Sequence, residues 1–236
     1  MKEALARLSP RSLREDYVAW LFRLSKRLSR QGLYEWLEAE FQCIRPGSCV
    51  LTVGAGGEIN ELLSRISILK GFRVTSLDID PDRFPDIEGD VCLDALPSLS
   101  YDVVVMAEVL EHLHDPRSGL ANVRNTMKDG GRLILTTPFA LPIHDAPYDY
   151  FRFTKFGLEL ILSDFRCVEI KARNNYFEAI DVLWVRLLQT HARNAQSLCS
   201  VLYPLLFVIK RPLTWALGSL VETEAMTTGY VVTATK

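Results

Sequence analysis

Glu108, Glu111 and His112 stand close together in the middle of the sequence. Their i, i+3, i+4 spacing would set all three on one face if the segment is helical. His144 and Asp145 follow in a later connection that would close over the same opening. Carboxylates and imidazoles grouped in this way serve two kinds of chemistry. His144, Asp145 and His112 are candidate acid–base groups, able to take the proton of a reacting hydroxyl. Alternatively, Glu108, Glu111, His112 and His144 supply the oxygen and nitrogen donors that suit Mg²⁺, Mn²⁺ or Zn²⁺. A plainer assignment has Glu108 touching a ligand while His112 packs or caps a short helix. Beyond them, Pro147–Thr154 (PYDYFRFT) is a candidate aromatic lid. Within it Arg152 either forks onto a carboxylate or phosphate of a ligand or pairs with Asp149.

A second constellation lies upstream. Val50–Asn60 (VLTVGAGGEIN) reads as a strand, a glycine turn and the start of a helix. A dinucleotide fingerprint would need its third glycine where this chain has Ile59, which counts against a nicotinamide cofactor. The turn of Gly54, Ala55 and Gly56 still lets backbone approach a ligand closely. Asp78, followed by Ile79, ends the next strand, where a carboxylate can accept hydrogen bonds from both hydroxyls of a ribose. Asp90 and Val91 come next, placed for the amine of an adenine, and Ala107-Glu108 closes a further strand. Residues 76–115 hold eleven acids and one base, Arg83. Such an edge attracts a cation and repels phosphate.

The elements that must position these groups follow from pattern. Cys49–Val53, Arg73–Leu77, Asp102–Met106 and Arg132–Thr136 are short apolar, largely β-branched runs that alternate with helical segments near 58–69, 109–112 and 117–128. Strands this apolar imply a mostly parallel sheet covered on both faces, a doubly wound α/β fold. Lys128–Gly131 (KDGG) reads as a helix stop and turn. Upstream, Ser12 and Glu15 form a capping box for a first helix, and Leu33–Phe41 forms a second. Downstream come a strand at Cys167–Ala172, a long apolar helical region and a final strand at Tyr230–Ala234. Thr154 is placed to cap a helix beginning at Lys155. The expected organisation is an N-terminal helical extension (1–45), a cofactor-binding core (46–175), a helical cap or insertion (176–228) and the last strand (229–236).

The runs VLTVGAGG, SLDIDP, GDVCLDALP, YDVVVMAEVLEHLHDP and MKDGGRLILTTPF, in this order over residues 48–140, resemble the successive motifs of class I S-adenosylmethionine-dependent methyltransferases. The resemblance implies a seven-stranded, Rossmann-like sheet and S-adenosylmethionine as cofactor. Gly54, Ala55 and Gly56 would face its methionine part, Asp78 its ribose with Ile79 alongside, Asp90 and Val91 its adenine, and Ala107 with Glu108 its sulfonium. Thr52 departs from the pattern, since many members place an acid there near the methionine amino group. Glu58 or a water would then substitute. PIHDAPYDYFRFTKFG and TGYVVTATK resemble a bacterial subgroup associated with sugar or cell-envelope modification. The Glu-x-x-Glu-His run with its downstream His144 resembles the divalent-metal site of methyltransferases acting on small-RNA ends, and in part the ubiquinone-pathway O-methyltransferases.

Composition bounds the rest. The chain has 236 residues, 48% apolar and 24% charged, with a formal net charge of −2, which excludes a disordered tail or a basic nucleic-acid coat protein. Its five cysteines form no C-x-x-C pair, arguing against a disulfide framework or structural zinc and for a reducing, cytoplasmic setting. No secretory leader is visible, and the apolar run Leu198–Ile209 is interrupted by Lys210, Arg211 and Pro212, short of the roughly 18–20 residues of a span. The first thirty residues hold eight bases against three acids. They read as a solvated helix face or as a contact for a membrane surface, an anionic glycan lipid or RNA. Residues 198–221 read as a pocket cap, a homo-oligomer surface or a monotopic anchor. The expected activity is O-methylation of a small-molecule or sugar-containing acceptor, not of nucleic acid. N-methylation, or a non-catalytic cofactor-binding partner of a biosynthetic complex, is the alternative.

Overall fold

The computed structural model describes residues 32–94, 96, 98, 100–194, 199–221, 223 and 225–236, together with Asp16, Ala19, Trp20, Arg23 and Arg30. The helix expected from Ser12 onward lies largely outside the described residues; Asp16, Ala19, Trp20 and Arg23 are helical. The chain divides into two compact units. One joins Met1–Gln31 to Asn174–Thr228, and the other joins Gly32–Arg173 to Gly229–Lys236.

The larger unit is built on a seven-stranded sheet. In chain order its strands are β1 (Cys49–Val53), β2 (Arg73–Asp78), β3 (Ile87–Glu88), β4 (Tyr101–Ala107), β5 (Met127–Pro138), β6 (Arg166–Ala172) and β7 (Gly229–Thr235). Their spatial order is β3-β2-β1-β4-β5-β7-β6. β1 to β5 run parallel, and β7 inserts antiparallel between β5 and β6. Side chains alternate across a strand, so each apolar run feeds two cores. Leu51, Val53, Val104, Met106, Leu133 and Leu135 pack with Leu120 and Val123 of helix α3 (Pro116–Thr126) and Leu158 and Leu162 at helix α4 (Lys155–Ile161). Val50, Val103, Val105 and Ile134 pack on the opposite face with Leu33, Leu37 and Phe41 of α1 (Leu33–Gln42) and Leu63 and Ile66 of α2 (Gly57–Lys70). Double coverage explains why these strands read as unbroken hydrophobic runs.

Caps fix where the helices start. Asp115 accepts hydrogen bonds from the amides of Arg117 and Ser118 ahead of α3, and Thr154 accepts one from Gly157 ahead of α4. Three elements differ from expectation. Leu110–His112 is a single 3-10 turn rather than an α-helix, because Glu108 just before it sits in the left-handed region at φ 57°. Lys128–Gly131 lies inside β5, which already pairs with β4 at Met127. Gly130, at φ 72°, absorbs the turn signal as a bulge, with the register shifting between Tyr101 and Val103. Strand β3 is only two residues long and leaves no periodic trace.

The smaller unit holds helix α5 (Tyr176–Asn194) and helix α6 (Cys199–Leu220). α6 continues through Lys210, Arg211 and Pro212 rather than ending there. Among the described residues, no helix is long and apolar enough to cross a membrane.

Candidate cofactor cleft and acid–base cluster

Strand order reverses between β1 and β4, and open α/β sheets hold ligands outside the carboxyl ends of the strands at such a switch. The loop after β1 begins with Gly54 at φ 88°, whose amide donates to the Leu77 carbonyl at 2.8 Å. A Cβ at Gly54 would stand 2.8 Å from Val109 Cγ2, so both backbone and space require glycine. Asn60 ties the loop by donating to the carbonyls of Gly54 (2.8 Å) and Gly56 (2.7 Å), and it accepts from Thr52 Oγ1 at 2.7 Å. Thr52, which stands where many members of the resembled family carry an acid, is therefore part of the loop's scaffold. Glu58 accepts from Tyr34 of α1 at 2.6 Å, a bond on the α1 side of the helix it helps to open.

Asp78 lies at the end of β2, its side chain 8% exposed. Its Oδ2 accepts from the Ala55 amide at 2.6 Å and its Oδ1 from the Asp80 amide at 2.9 Å. These bonds orient the carboxylate while leaving lone pairs for further donors. Ile79, directly after it, is exposed. After β3, Asp90 accepts from the Cys92 amide at 2.8 Å, and Val91 is buried. A second convergence forms there, as ligand atoms of Asp90, Cys92 and His114 lie within 4.8 Å of one another. The Cys92 thiol donates to the Asp115 carbonyl, and burial pushes its pKa up, so the sulfur keeps its proton. Gly54, Ala55, Gly56, Asp78, Ile79, Asp90, Val91 and Ala107 thus occupy loops or ends at one edge of the sheet.

Glu108 follows Ala107 at the end of β4, with its side chain engaged by Arg173. Its carboxylate pairs with the guanidinium of Arg173, whose Nη1 donates at 3.1 Å and whose side chain is 1% exposed, and accepts from Thr136 Oγ1 at 2.9 Å. Gly229 makes room for Arg173, since a Cβ there would meet its guanidinium carbon at 2.8 Å. Glu108, Glu111 and His112 therefore share no helix face, and the four-ligand metal set expected from the sequence loses Glu108 to Arg173.

Glu111, His112 and His144 do come together. Glu111 is fully buried, and its Oε1 lies 3.7 Å from His112 Nε2 and 3.8 Å from His144 Nε2. The two imidazoles meet edge to face at 4.9 Å. Glu111 Oε1 has no hydrogen-bond partner among the described residues, whereas Thr137 Oγ1 donates to Oε2 at 3.3 Å. The outer nitrogens are committed. His112 Nδ1 lies 2.8 Å from the Tyr148 carbonyl, which can only accept, so Nδ1 carries the hydrogen. His144 Nδ1 lies 3.3 Å from Asp149 Oδ2. Arg152 pairs with both Asp149 oxygens, its Nη2 donating to Oδ2 at 2.6 Å, and this hydrogen bond holds the Asp149 carboxyl at about 2. His144 Nδ1 also lies 3.5 Å from Arg152 Nη2, which can only donate. His112 Nε2, His144 Nε2 and Glu111 Oε1 face each other, an arrangement suited to a shared proton or a cation. Burial pushes the Glu111 carboxyl up, and the neighbouring Glu111 raises His144.

The carboxylate facing His144 is Asp149, while the acid–base candidate Asp145 is exposed at φ 49°. A turn closed by the Tyr148 amide on the Asp145 carbonyl, at 3.1 Å, folds the chain back so that Asp149 also accepts the His144 amide at 2.9 Å. The amides of Tyr150 and Phe151 donate to the Glu111 carbonyl at 2.9 and 3.2 Å. The aromatic loop is thereby docked on the turn that carries Glu111 and His112, with Phe151 stacked on Phe153.

A model of the methyltransferase domain matches residues 12–180. Over 124 residues the chain is 33% identical to a ubiquinone biosynthesis O-methyltransferase of Xanthomonas campestris pv. campestris, covering 44% of this chain and 51% of the relative. The counterpart from Xanthomonas axonopodis pv. citri is 32% identical over 123 residues, covering 43% and 50%. The chain thus spans about half the length of the curated relatives it matches. Among solved structures it resembles phosphoethanolamine N-methyltransferase 2 of Haemonchus contortus in complex with S-adenosyl-L-methionine, with a TM-score of 0.55, 16% identity and coverage of 88% of this chain and 52% of that one. It also resembles the [4+2]-cyclase SpnF, with a TM-score of 0.57, 13% identity and coverage of 88% and 81%. At these identities the likeness establishes the fold alone.

Proposed function

The chain belongs to the methyltransferase domain family, and on that premise we propose that it transfers the methyl group of S-adenosylmethionine to a hydroxyl of a small acceptor, working in the cytoplasm. The observation that carries the O-directed part is the buried Glu111 with its two imidazoles, a proton sink that an amine acceptor would not require. A small molecule or a sugar-containing envelope precursor is the acceptor class. The ubiquinone O-methyltransferase names of the Xanthomonas relatives agree with a small hydroxylated acceptor.

In this reading Asp78, oriented by the amides of Ala55 and Asp80, receives the ribose hydroxyls. The Gly54–Gly56 backbone lies against the methionine part, Ile79 and Asp90 with Val91 flank the adenine, and Ala107 ends the strand on the sulfonium side. The eleven acids of residues 76–115 favour a cation without phosphate. The acceptor oxygen attacks the methyl carbon in line with sulfur. A carbon–oxygen bond forms, the carbon–sulfur bond breaks with its electron pair on sulfur, and S-adenosylhomocysteine leaves. The acceptor's proton passes to the Nε2 of His144, which Asp149 orients and Glu111 backs.

The convergence of one carboxylate oxygen and two imidazole nitrogens also favours a second reading, in which Glu111, His112 and His144 hold a divalent cation. When bound, such an ion would acidify an acceptor hydroxyl. The donor set, two imidazole nitrogens and one carboxylate oxygen, fits Zn²⁺ or Mn²⁺.

Incubation of the purified chain with methyl-labelled cofactor and a panel of hydroxyl and amine acceptors tests the reading. Label in a hydroxyl acceptor is expected. Label in amines alone would make it an N-methyltransferase, and tight S-adenosylhomocysteine binding with no transfer would make it a non-catalytic partner. Turnover that vanishes in chelator and returns with metal would select the cation over the shared proton.

A further inference from the structure

Helix α6 carries its polar seam inward and its apolar side outward. Within its own unit it meets α5 through Lys210 and Thr214, both bonded to Asp181, with the Lys210 ammonium 5.3 Å from the centre of the Trp184 ring. One turn further, a Cβ at Gly218 would lie 3.2 Å from Asn175 Nδ2. Positions 210, 214 and 218 form one stripe at helical spacing. The other side is bare: Leu205, Leu206, Val208, Ile209, Leu213, Trp215 and Leu220 are all exposed, Trp215 by 78%. At 3.6 residues per turn these positions fall within about half the circumference. No aspartate or glutamate occurs in Cys199–Leu220, and the exposed Arg211 stands one turn before Trp215, at the border of the apolar half.

The charge of the unit favours one occupant. Met1–Gln31 with Asn174–Thr228 contains twelve Lys and Arg against seven Asp and Glu, while the rest of the chain contains fifteen against twenty-two. A second copy of the chain would press two basic units together, whereas an anionic lipid surface neutralises one. Lys210 and Arg211 break the apolar sequence of the helix midway, and no described helix is long and apolar enough to cross a membrane. An apolar half bounded by an arginine and a tryptophan matches a helix lying in the interface plane, the guanidinium reaching back to the headgroups. We propose that α6 docks its Leu205–Leu220 face into the headgroup–acyl boundary of an anionic bilayer.

Flotation of the full chain with phosphatidylcholine vesicles, with and without phosphatidylglycerol, tests this without reference to methyl transfer. Binding is expected only with phosphatidylglycerol, weaker at high salt and for Arg211→Glu. The double variant Ile209→Asn/Leu213→Asn, at exposed positions, should bind at least about tenfold more weakly with S-adenosylhomocysteine affinity retained. Should that variant fail to fold, brominated acyl chains report on the native sequence. They should quench its fluorescence, and Trp215→Phe should remove most of the quenching. Failure to float with phosphatidylglycerol, binding that ignores the two substitutions, fluorescence indifferent to bromine, or a dimer that forms through this face in place of vesicle binding would each overturn the proposal.

Discussion

Asp149→Asn keeps the shape of the side chain and removes its charge, and so isolates what that carboxylate does. In the native chain both oxygens meet Arg152, and one accepts the His144 amide and faces His144 Nδ1. The side chain is 1% exposed, so solvent screens the pair little. The Arg152 hydrogen bond outweighs burial and holds the carboxyl at about 2, against an ordinary aspartate near ~3.9. A carboxyl depressed in the folded state adds stability that is present above the unfolded value and is lost as pH falls through the folded one. The gap corresponds to about 2–3 kcal/mol at neutral pH and roughly half of that near pH ~3. Urea unfolding should therefore find Asp149→Asn less stable by about 2–3 kcal/mol at pH ~7, with the difference from wild type closing as pH falls from ~4 toward ~2. Arg152→Met should cost a similar amount, and the double variant little more than either alone. Methyl transfer should fall by about 10- to 100-fold, because His144 loses the carboxylate charge that faces its Nδ1. A difference below about 0.5 kcal/mol at neutral pH, or one that persists unchanged in acid, would show that charge does not hold this loop.

Asp78→Asn should weaken S-adenosylhomocysteine binding by about 10- to 100-fold in calorimetry, the loss expected for hydrogen bonds to a charged acceptor; unchanged affinity would remove the ribose assignment. Glu111→Gln should leave that binding intact while methyl transfer drops by about 10²- to 10⁴-fold, and full turnover in this variant would exclude the cluster from the reaction. Gly54→Ala forces a side chain into φ 88° and against Val109 Cγ2, so the melting temperature should fall with a loss of about 1–3 kcal/mol. A neutral result there would mean that the loop relaxes freely.

Legibility followed burial. Val50–Val53 and Val103–Met106 face a packed layer on each side, and a strand with no solvent face advertises itself as an apolar run. The position of Asp78 was readable for a related reason, because a strand that ends in Leu77-Asp78 can place the acid only at the sheet's edge. What escaped the sequence was backbone direction. The left-handed Glu108 breaks a helical face that spacing alone implies and sends its carboxylate to Arg173, far along the chain. That Asp149, five residues on, and not the adjacent Asp145 faces His144 hangs on one reverse turn, which the linear order does not show. Gly130 carries a true turn signal, yet the strand accommodates it as a bulge. Likewise, the apolar run in α6 is plain in the sequence, but the outward direction of its apolar half is set by Asp181 of α5.

The position of β7 has a consequence for how the chain matures. Among the described residues, β6 hydrogen-bonds to no strand except β7, which itself closes against β5 over seven paired residues. During synthesis, Arg166–Ala172 therefore leaves the ribosome with nothing to pair with, and it waits until both long helices have been made before its neighbour arrives. Five of the seven strands can assemble early and the other edge only at the end, so a shortened product lacking Gly229–Thr235 would forfeit two strands rather than one.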